Sequence, residues 1–259
     1  MEFRNIFREE IALHRNPVLK TILGTNEFLT TIANFLFKKG HLEAAVKIYQ
    51  ILIDRKTADA NIFQKAGVCY QKTTHYQEAI DAFRKADVLK PDHVWTLRHL
   101  ATTYWLMGEQ NKAMEYLQRV EAILPDNPSV LYKMATYLTE LERYDEALKY
   151  FFKMDFIEEN SPRIWRGIGW CSFATGKHEQ AMKYYDKILA EKPYTADYLN
   201  AGHVAWSLGK LEKAVAFYKK AEQDYGSRDI FLEVLNKDRD MLLKQGIAEE
   251  DIPLMLDLI

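Results

Sequence analysis

The chain has 259 residues, of which 48% are hydrophobic, so there is enough apolar material for the core of one or two domains. Only seven prolines and eleven glycines are present, which argues against an all-β protein and its many turns. The formal net charge of −2 argues against a strongly basic nucleic-acid binder. The two cysteines, Cys69 and Cys171, indicate free thiols in a reducing compartment rather than a disulfide framework.

The first 25 residues are predicted to form a helical lead-in segment. Phe3, Ile6, Phe7 and Ile11 have the spacing of an amphipathic helix, and a second short apolar stretch covers residues 18–23. Charged residues interrupt the start too often for a signal peptide, and no run of about 18 apolar residues could span a membrane. We therefore expect a cytoplasmic protein, provided that Met1 is close to the native start.

A repeat of 34 residues, once of 33, begins near residue 26. Its clearest mark is an alanine shortly after each predicted turn. These alanines are Ala45, Ala79, Ala113, Ala147, Ala181 and Ala214. A small residue stands twelve positions before each alanine, and a large apolar residue stands four positions after it. Because two helices approach closely only where their surfaces are small, each copy predicts an antiparallel pair of helices.

Glycines and prolines occur in this pattern at the positions where helices should end or begin. Glycines in the short turn inside the repeat predict a left-handed cap on the first helix. They are Gly40, Gly108, Gly176 and Gly209. Asn127 before Pro128, and Ser161 before Pro162, each predict an N-cap followed by a first-turn proline.

The pattern resembles the tetratricopeptide repeat, a helix–turn–helix unit of 34 residues, over about residues 26–228. The resemblance implies an all-α fold in which six helix pairs stack into a right-handed superhelical solenoid. The six repeats are expected at residues 26–59, 60–93, 94–127, 128–161, 162–194 and 195–228.

Residues 229–259 are predicted to form capping helices. Apolar residues recur there at helical spacing, including Phe231, Leu235 and Leu242. Terminal repeats need such a cover, because their outer apolar face has no neighbour. The apolar tail, residues 252–259, should either fold back on the cap or contact a partner.

No motif for catalysis or for metal or cofactor binding is recognisable in the sequence. The chain lacks the Gly-x-Ser-x-Gly, His-Glu-x-x-His and Walker patterns. Gly167 and Gly169 resemble part of a phosphate loop, but they fall inside a predicted helix at tight-packing positions. We therefore expect a protein that is not an enzyme and that has no cofactor.

The first helices of tetratricopeptide repeats line a concave groove, and the resemblance assigns groove positions in each repeat. Four of the five tryptophans map to these positions. The candidate groove residues are Trp95, Arg98, Trp105, Tyr132, Arg163, Arg166, Trp170, Phe173, His203 and Trp206. Trp, Tyr and Arg are enriched at binding hot spots, so the set predicts a binding surface. Packing between neighbouring first helices is the alternative for each aromatic residue.

The leading hypothesis is a scaffold that binds a protein or peptide segment, with arginine taking a carboxylate and the aromatics taking apolar side chains. One alternative is a regulatory or substrate-recruiting portion of a larger protein. Another, disfavoured by the near-neutral charge, is a single-stranded nucleic-acid binder whose aromatics stack on bases. The clamp that binds chaperone C-termini in one subclass is not matched by any three consecutive repeats. The sequence predicts neither the partner's identity nor the oligomeric state.

Overall fold

The computed structural model describes residues 24–259, and the helices in that range follow the repeat pattern. The helix pairs are α1 (Asn26–Lys38) with α2 (Leu42–Asp54), α3 (Ala60–Lys72) with α4 (Tyr76–Leu89), α5 (Val94–Leu106) with α6 (Gln110–Ile123), α7 (Pro128–Glu140) with α8 (Tyr144–Ile157), α9 (Pro162–Ala174) with α10 (His178–Ala190), and α11 (Thr195–Ser207) with α12 (Leu211–Tyr225). The prediction of an all-α fold built from helix pairs is confirmed. The predicted lead-in helix and the apolar stretch at 18–23 lie outside the described residues.

The chain divides into two compact units, one that ends at Leu124 and one that spans Pro125–Ile259. The N-terminal unit holds α1–α6, and the C-terminal unit holds α7–α12. Three more helices belong to the C-terminal unit: α13 (Arg228–Lys237), α14 (Arg239–Lys244) and α15 (Asp251–Leu258).

Small residues in the first helix of a repeat make room for an aromatic ring from the second. A Cβ added at Gly67 would lie 2.6 Å from the Phe83 ring, and one at Gly202 would lie 2.5 Å from the Tyr218 ring. Both distances are shorter than a real Cβ contact, so these rings rest directly on the helix backbone. The spacing of small and large residues in the sequence therefore corresponds to the contact between the two helices of a repeat.

The turns inside the repeats use the left-handed backbone conformation whether or not glycine is present. Gly40 and Gly108 have φ of 80° and 79°, while Thr74 and Glu142 take φ of 64° and 56° at the equivalent places in repeats 2 and 4. A β-branched threonine in this region is strained, because its Cβ approaches the following carbonyl oxygen. Repeats 2 and 4 thus have the less favourable turns.

The two predicted proline-containing caps differ. The Asn127 side chain accepts hydrogen bonds from the backbone N–H groups of Ser129 and Val130 at 3.1 and 3.3 Å. Ser161 makes no such bond, so the prediction of a side-chain cap there is wrong. Only the proline that follows Ser161, at the start of α9, remains as a helix-initiating feature.

The segment after the last repeat packs against it. The buried Phe231 of α13 meets Tyr218 edge to face, with ring centroids 6.1 Å apart. In the tail, Ile252 and Met255 are buried, and the Arg228 guanidinium donates to the carbonyl of Leu256 at 2.7 Å. The tail therefore folds back on the start of α13.

Both cysteines are buried and free. Burial raises the pKa of the Cys69 thiol and of the Cys171 thiol to about 11. Because the thiolate is the reactive form of cysteine, these two side chains act as small packing residues at neutral pH.

Candidate peptide-binding groove

A groove of about 500 Å³ lies in the C-terminal unit along the first helices of repeats 4 and 5. We call it the repeat 4–6 groove, because repeat 6 closes one side. It is lined by Tyr132, Thr136, Thr139 and Glu140 of α7, by Phe151 of α8, by Arg163, Arg166, Gly167 and Trp170 of α9, and by Tyr194 and Asn200. The structure thus brings four of the predicted residues together: Tyr132, Arg163, Arg166 and Trp170.

The floor of the groove is aromatic because a glycine stands over it. A Cβ added at Gly167 would lie 2.4 Å from the Phe151 ring, so no other residue fits there without displacing that ring. Phe151 also meets Tyr132 edge to face at 6.3 Å between centroids. Phe151, which is 4% exposed, therefore forms a buried apolar base beneath Gly167.

Arg166 is held by an ion pair within the C-terminal unit. Its Nε and Nη2 atoms donate to both carboxylate oxygens of Asp197 at 2.7–3.1 Å. Asp197 is only 2% exposed, and it also accepts the backbone N–H of Tyr194 at 2.7 Å. The hydrogen bonds to Asp197 raise the pKa of Arg166 above its ordinary value. The sequence-based expectation assigns a partner's carboxylate to Arg166; in the structure Asp197 supplies that carboxylate.

The two groove arginines also cover aromatic rings. Arg163 pairs with Glu158 at 2.9 Å, and its guanidinium lies 4.9 Å from the centroid of Tyr132. The Arg166 guanidinium lies 4.1 Å from the centroid of Tyr194. The electrostatic attraction between a cation and an aromatic ring favours both contacts. The groove therefore has fixed walls in which both positive charges already have acidic neighbours.

Three of the predicted groove residues are buried, and the expectation that they face a groove is corrected. Phe173, His203 and Trp206 are 1%, 0% and 6% exposed. His203 Nδ1 pairs with the Tyr218 hydroxyl at 2.7 Å, and its Nε2 lies 3.3 Å from an Asp238 carboxylate oxygen. Asp238, which follows the last repeat, therefore lies against His203.

The other three predicted residues lie in the N-terminal unit. Trp95 is 40% exposed and packs on His99, with ring centroids 4.0 Å apart. Arg98 is exposed and Trp105 is half-buried. A separate groove of about 590 Å³ in this unit is lined by other residues, among them Asp59, Asn61, Gln64 and Lys90. Trp95, Arg98 and Trp105 are not among the residues that line this groove.

Sequence reasoning missed several residues that shape the repeat 4–6 groove. Tyr194 precedes α11 and has no place in the repeat pattern, and Phe151 and Gly167 look like ordinary packing residues. Asp197 gives one local signal, because an acid in the first turn of a helix can close a capping box. Nothing in the spacing predicts that it binds an arginine 31 positions earlier.

Within residues 24–259, no group of three or more His, Cys, Asp or Glu side chains is arranged to hold a metal ion. Among the helices of the same range, none combines the length and the apolar character that a membrane crossing requires.

Comparison with known proteins identifies the family. Three models described as tetratricopeptide repeat match residues 73–137, 132–196 and 198–223. No curated protein sequence matches the chain significantly. A tetratricopeptide repeat protein from Parabacteroides merdae has a similar structure, with 20% identity and a TM-score of 0.66 over 90% of this chain and 97% of that one.

Two further solved structures share the fold. YrrB, described as a tetratricopeptide-repeat protein with an unusual peptide-binding site, is 18% identical with a TM-score of 0.61, over 72% of this chain and 96% of its own. MamA is 22% identical with a TM-score of 0.59, over 64% of this chain and 91% of its own. With the helix pairs and the matched repeat models, these similarities show that the chain belongs to the tetratricopeptide-repeat family.

Proposed function

We propose that the protein is a non-catalytic scaffold that binds a peptide segment of a partner protein in the repeat 4–6 groove. One observation carries the proposal: the groove has an aromatic floor and walls that internal contacts already hold in place. A preformed site loses less conformational freedom on binding than a mobile one. The peptide-binding site named for YrrB supports the same kind of function for this fold.

The lining of the groove suggests the chemistry of the peptide. An apolar or aromatic side chain fits over Gly167, between Tyr132 and Trp170. The Thr136 hydroxyl donates to the backbone of α7, so its oxygen lone pairs remain for a peptide N–H group. The Thr139 oxygen is already shared with the Cys171 sulfur at 3.3 Å. Because Arg163 and Arg166 have carboxylate neighbours, we expect affinity to depend on the apolar anchor more than on acidic residues.

A matched pair of substitutions tests this proposal. Trp170→Ala removes a groove wall, while Phe156→Ala removes a ring that is 89% exposed on α8, outside the groove lining. A partner recovered from native lysate on the wild-type protein is titrated against both variants by calorimetry. We expect Trp170→Ala to weaken binding by about 2 kcal/mol, which is roughly thirtyfold, and Phe156→Ala to have little effect. The reverse order of effects would refute the groove.

The same titration separates a peptide from a single-stranded nucleic acid. Nucleic-acid binding releases counterions and weakens steeply as salt is raised, whereas an apolar anchor is nearly insensitive to salt. We expect the affinity to change little between about 50 and 200 mM salt. The two buried free thiols are in accord with the reducing cytoplasm that we propose as the location.

A further inference from the structure

A short segment after the last repeat reaches much farther than a cap requires. This return segment, residues 238–247, contains α14 and the turn that follows it. The Gln245 amide donates to the carbonyl of Ala174 at 3.2 Å, and its oxygen lies 3.0 Å from His178 Nε2. Lys244 lies 3.3 Å from Glu142, which is 102 positions earlier in the chain.

These contacts break the usual rule of repeat proteins, in which each repeat touches only its neighbours. The cap function is already served by α13, whose Phe231 covers Tyr218 of the last repeat. The return segment instead contacts repeats 4 and 5 as well. Its contacts therefore call for an explanation other than capping.

The return segment contacts one of the buried groove residues and the neighbours of another. Asp238 contacts His203, and Gln245 contacts His178. The Phe173 ring lies near both histidines, 6.2 Å from His203 and 5.7 Å from His178 between centroids. Phe173 is 1% exposed, and both histidines beside its ring are contacted by the return segment.

The segment presents one helical face to this surface. Asp238, Leu242 and Gln245 are spaced by four and three positions, which places them on the same side of a helix. Leu242 is fully buried. The pattern is an acid, an apolar residue four positions later, and an amide three positions after that. A helical peptide that binds a groove uses anchors with this spacing.

We propose that the surface formed by Ala174, His178 and His203 is a helix-binding surface, and that the return segment is its displaceable internal ligand. A partner helix with the same pattern of an acid, an apolar residue and an amide replaces the segment. Trp170 of the repeat 4–6 groove lies 5.9 Å from Phe173 between ring centroids, so release of the segment lengthens that groove. Only this lengthening rests on the proposed function.

The return segment is held by four long-range polar contacts and by its buried residues Leu242 and Ile247. Helix α14 has six residues, and a helix of this length is not stable without tertiary contacts. The side chains of Lys244 and Glu142 are 59% and 65% exposed, and such surface ion pairs contribute little. Linkage in the same chain, rather than intrinsic affinity, accounts for much of the occupancy, because it raises the local concentration to the millimolar range.

A labelled synthetic peptide of residues 236–249 tests the proposal on the full chain. Asp238→Ala with Gln245→Ala removes the two polar anchors of the internal segment and should weaken its attachment, so that the free peptide competes with it for the surface. Lys244→Ala, which removes only the exposed ion pair, is the matched control. We expect the peptide to bind the double variant at least about tenfold more tightly than it binds the wild type or the control. A peptide carrying Leu242→Ala should not bind.

Equal binding of the peptide to the double variant and to the wild type would overturn the proposal. Failure of the peptide to bind either protein would also overturn it, and so would equal affinity of the Leu242→Ala peptide and the unchanged peptide for the double variant. Should the double variant lose its cooperative thermal transition, Gln245→Ala alone replaces it, with an expected gain of about threefold. Trp170→Ala tests the proposed function separately, because the peptide titration does not use the partner protein. A negative result in one of these two experiments therefore does not refute the other proposal.

Discussion

The ion pair between Arg166 and Asp197 gives the sharpest prediction about stability. Asp197→Ala removes the acceptor for two guanidinium nitrogens and for the Tyr194 backbone N–H. Removing one partner of a buried ion pair costs about 3–5 kcal/mol. The Arg166 side chain is 26% exposed, so water replaces part of what is lost. We therefore expect the free energy of unfolding to fall by about 2–3 kcal/mol.

Thermal unfolding followed by circular dichroism measures this effect. Each kcal/mol corresponds to about 2–4 °C in a domain of this size, so the Tm should fall by about 4–12 °C. The matched control is Asp145→Ala, which breaks an ion pair of the same 2.7 Å length to Lys177, with an Asp145 side chain that is 73% exposed. That change should alter the Tm by no more than about 2 °C.

A double-mutant cycle sharpens the same prediction. Arg166→Met leaves the buried Asp197 carboxylate without its cation, so this variant should be strongly destabilised. Combining it with Asp197→Ala should be less harmful than the sum of the two single changes, because no buried charge is left. A fall of less than about 0.5 kcal/mol in Asp197→Ala, or strictly additive effects, would show that the ion pair does not hold the groove wall.

Three further predictions concern packing, turn strain and pH. Ala147→Leu should overpack the contact inside repeat 4 and lower the free energy of unfolding by about 1–3 kcal/mol. Ala216→Leu, at an exposed position of α12, should change the Tm little. Equal Tm values for the two variants would refute the packing scheme. Thr74→Gly should relieve the strain at φ 64° and stabilise by about 1 kcal/mol, whereas Gly108→Thr should destabilise; a lower Tm for Thr74→Gly would contradict this. Burial, with the charges of Arg98 and Lys72, lowers the pKa of His99 from 6.5 to about 4. The folded state therefore resists protonation, and stability should fall as pH drops from about 6.5 towards about 4, by roughly 3 kcal/mol at most. The His99→Gln variant should lose that part of the pH dependence of stability. The same pH profile of stability in the variant and in the wild type would contradict this prediction.

The helix pairs could be predicted because every repeat has the same spacing of small and large packing residues. Gly67 opposite Phe83, and Gly202 opposite Tyr218, are copies of one contact, and six copies in phase outweigh any irregular position. The caps were harder, because Asn127 and Ser161 look equivalent in sequence, yet only the asparagine binds the helix. Local backbone geometry determines which side chain caps its helix, and the spacing of residues in the sequence does not predict that geometry.

The site was only partly predictable, because its decisive contacts are not periodic. Arg166 occupies a groove position, as predicted, but its partner Asp197 lies in the next repeat and outside the groove pattern. Phe173, His203 and Trp206 occupy groove positions of the repeat pattern but are buried, and His203 contacts Asp238, which lies 35 positions later in the chain. A repeat pattern predicts which face a residue occupies, and it does not predict what a non-repeating segment covers.

Site-specific photocrosslinking tests the central claim most directly. A photoreactive benzoylphenylalanine replaces Thr136 in the repeat 4–6 groove in one protein and Phe156 on the exposed side of α8 in another. Irradiation in native lysate should produce a covalent adduct with a partner protein from position 136, and the adduct should disappear when Trp170→Ala is added. An adduct from position 156, with none from position 136, would contradict the assignment of the groove as the binding site.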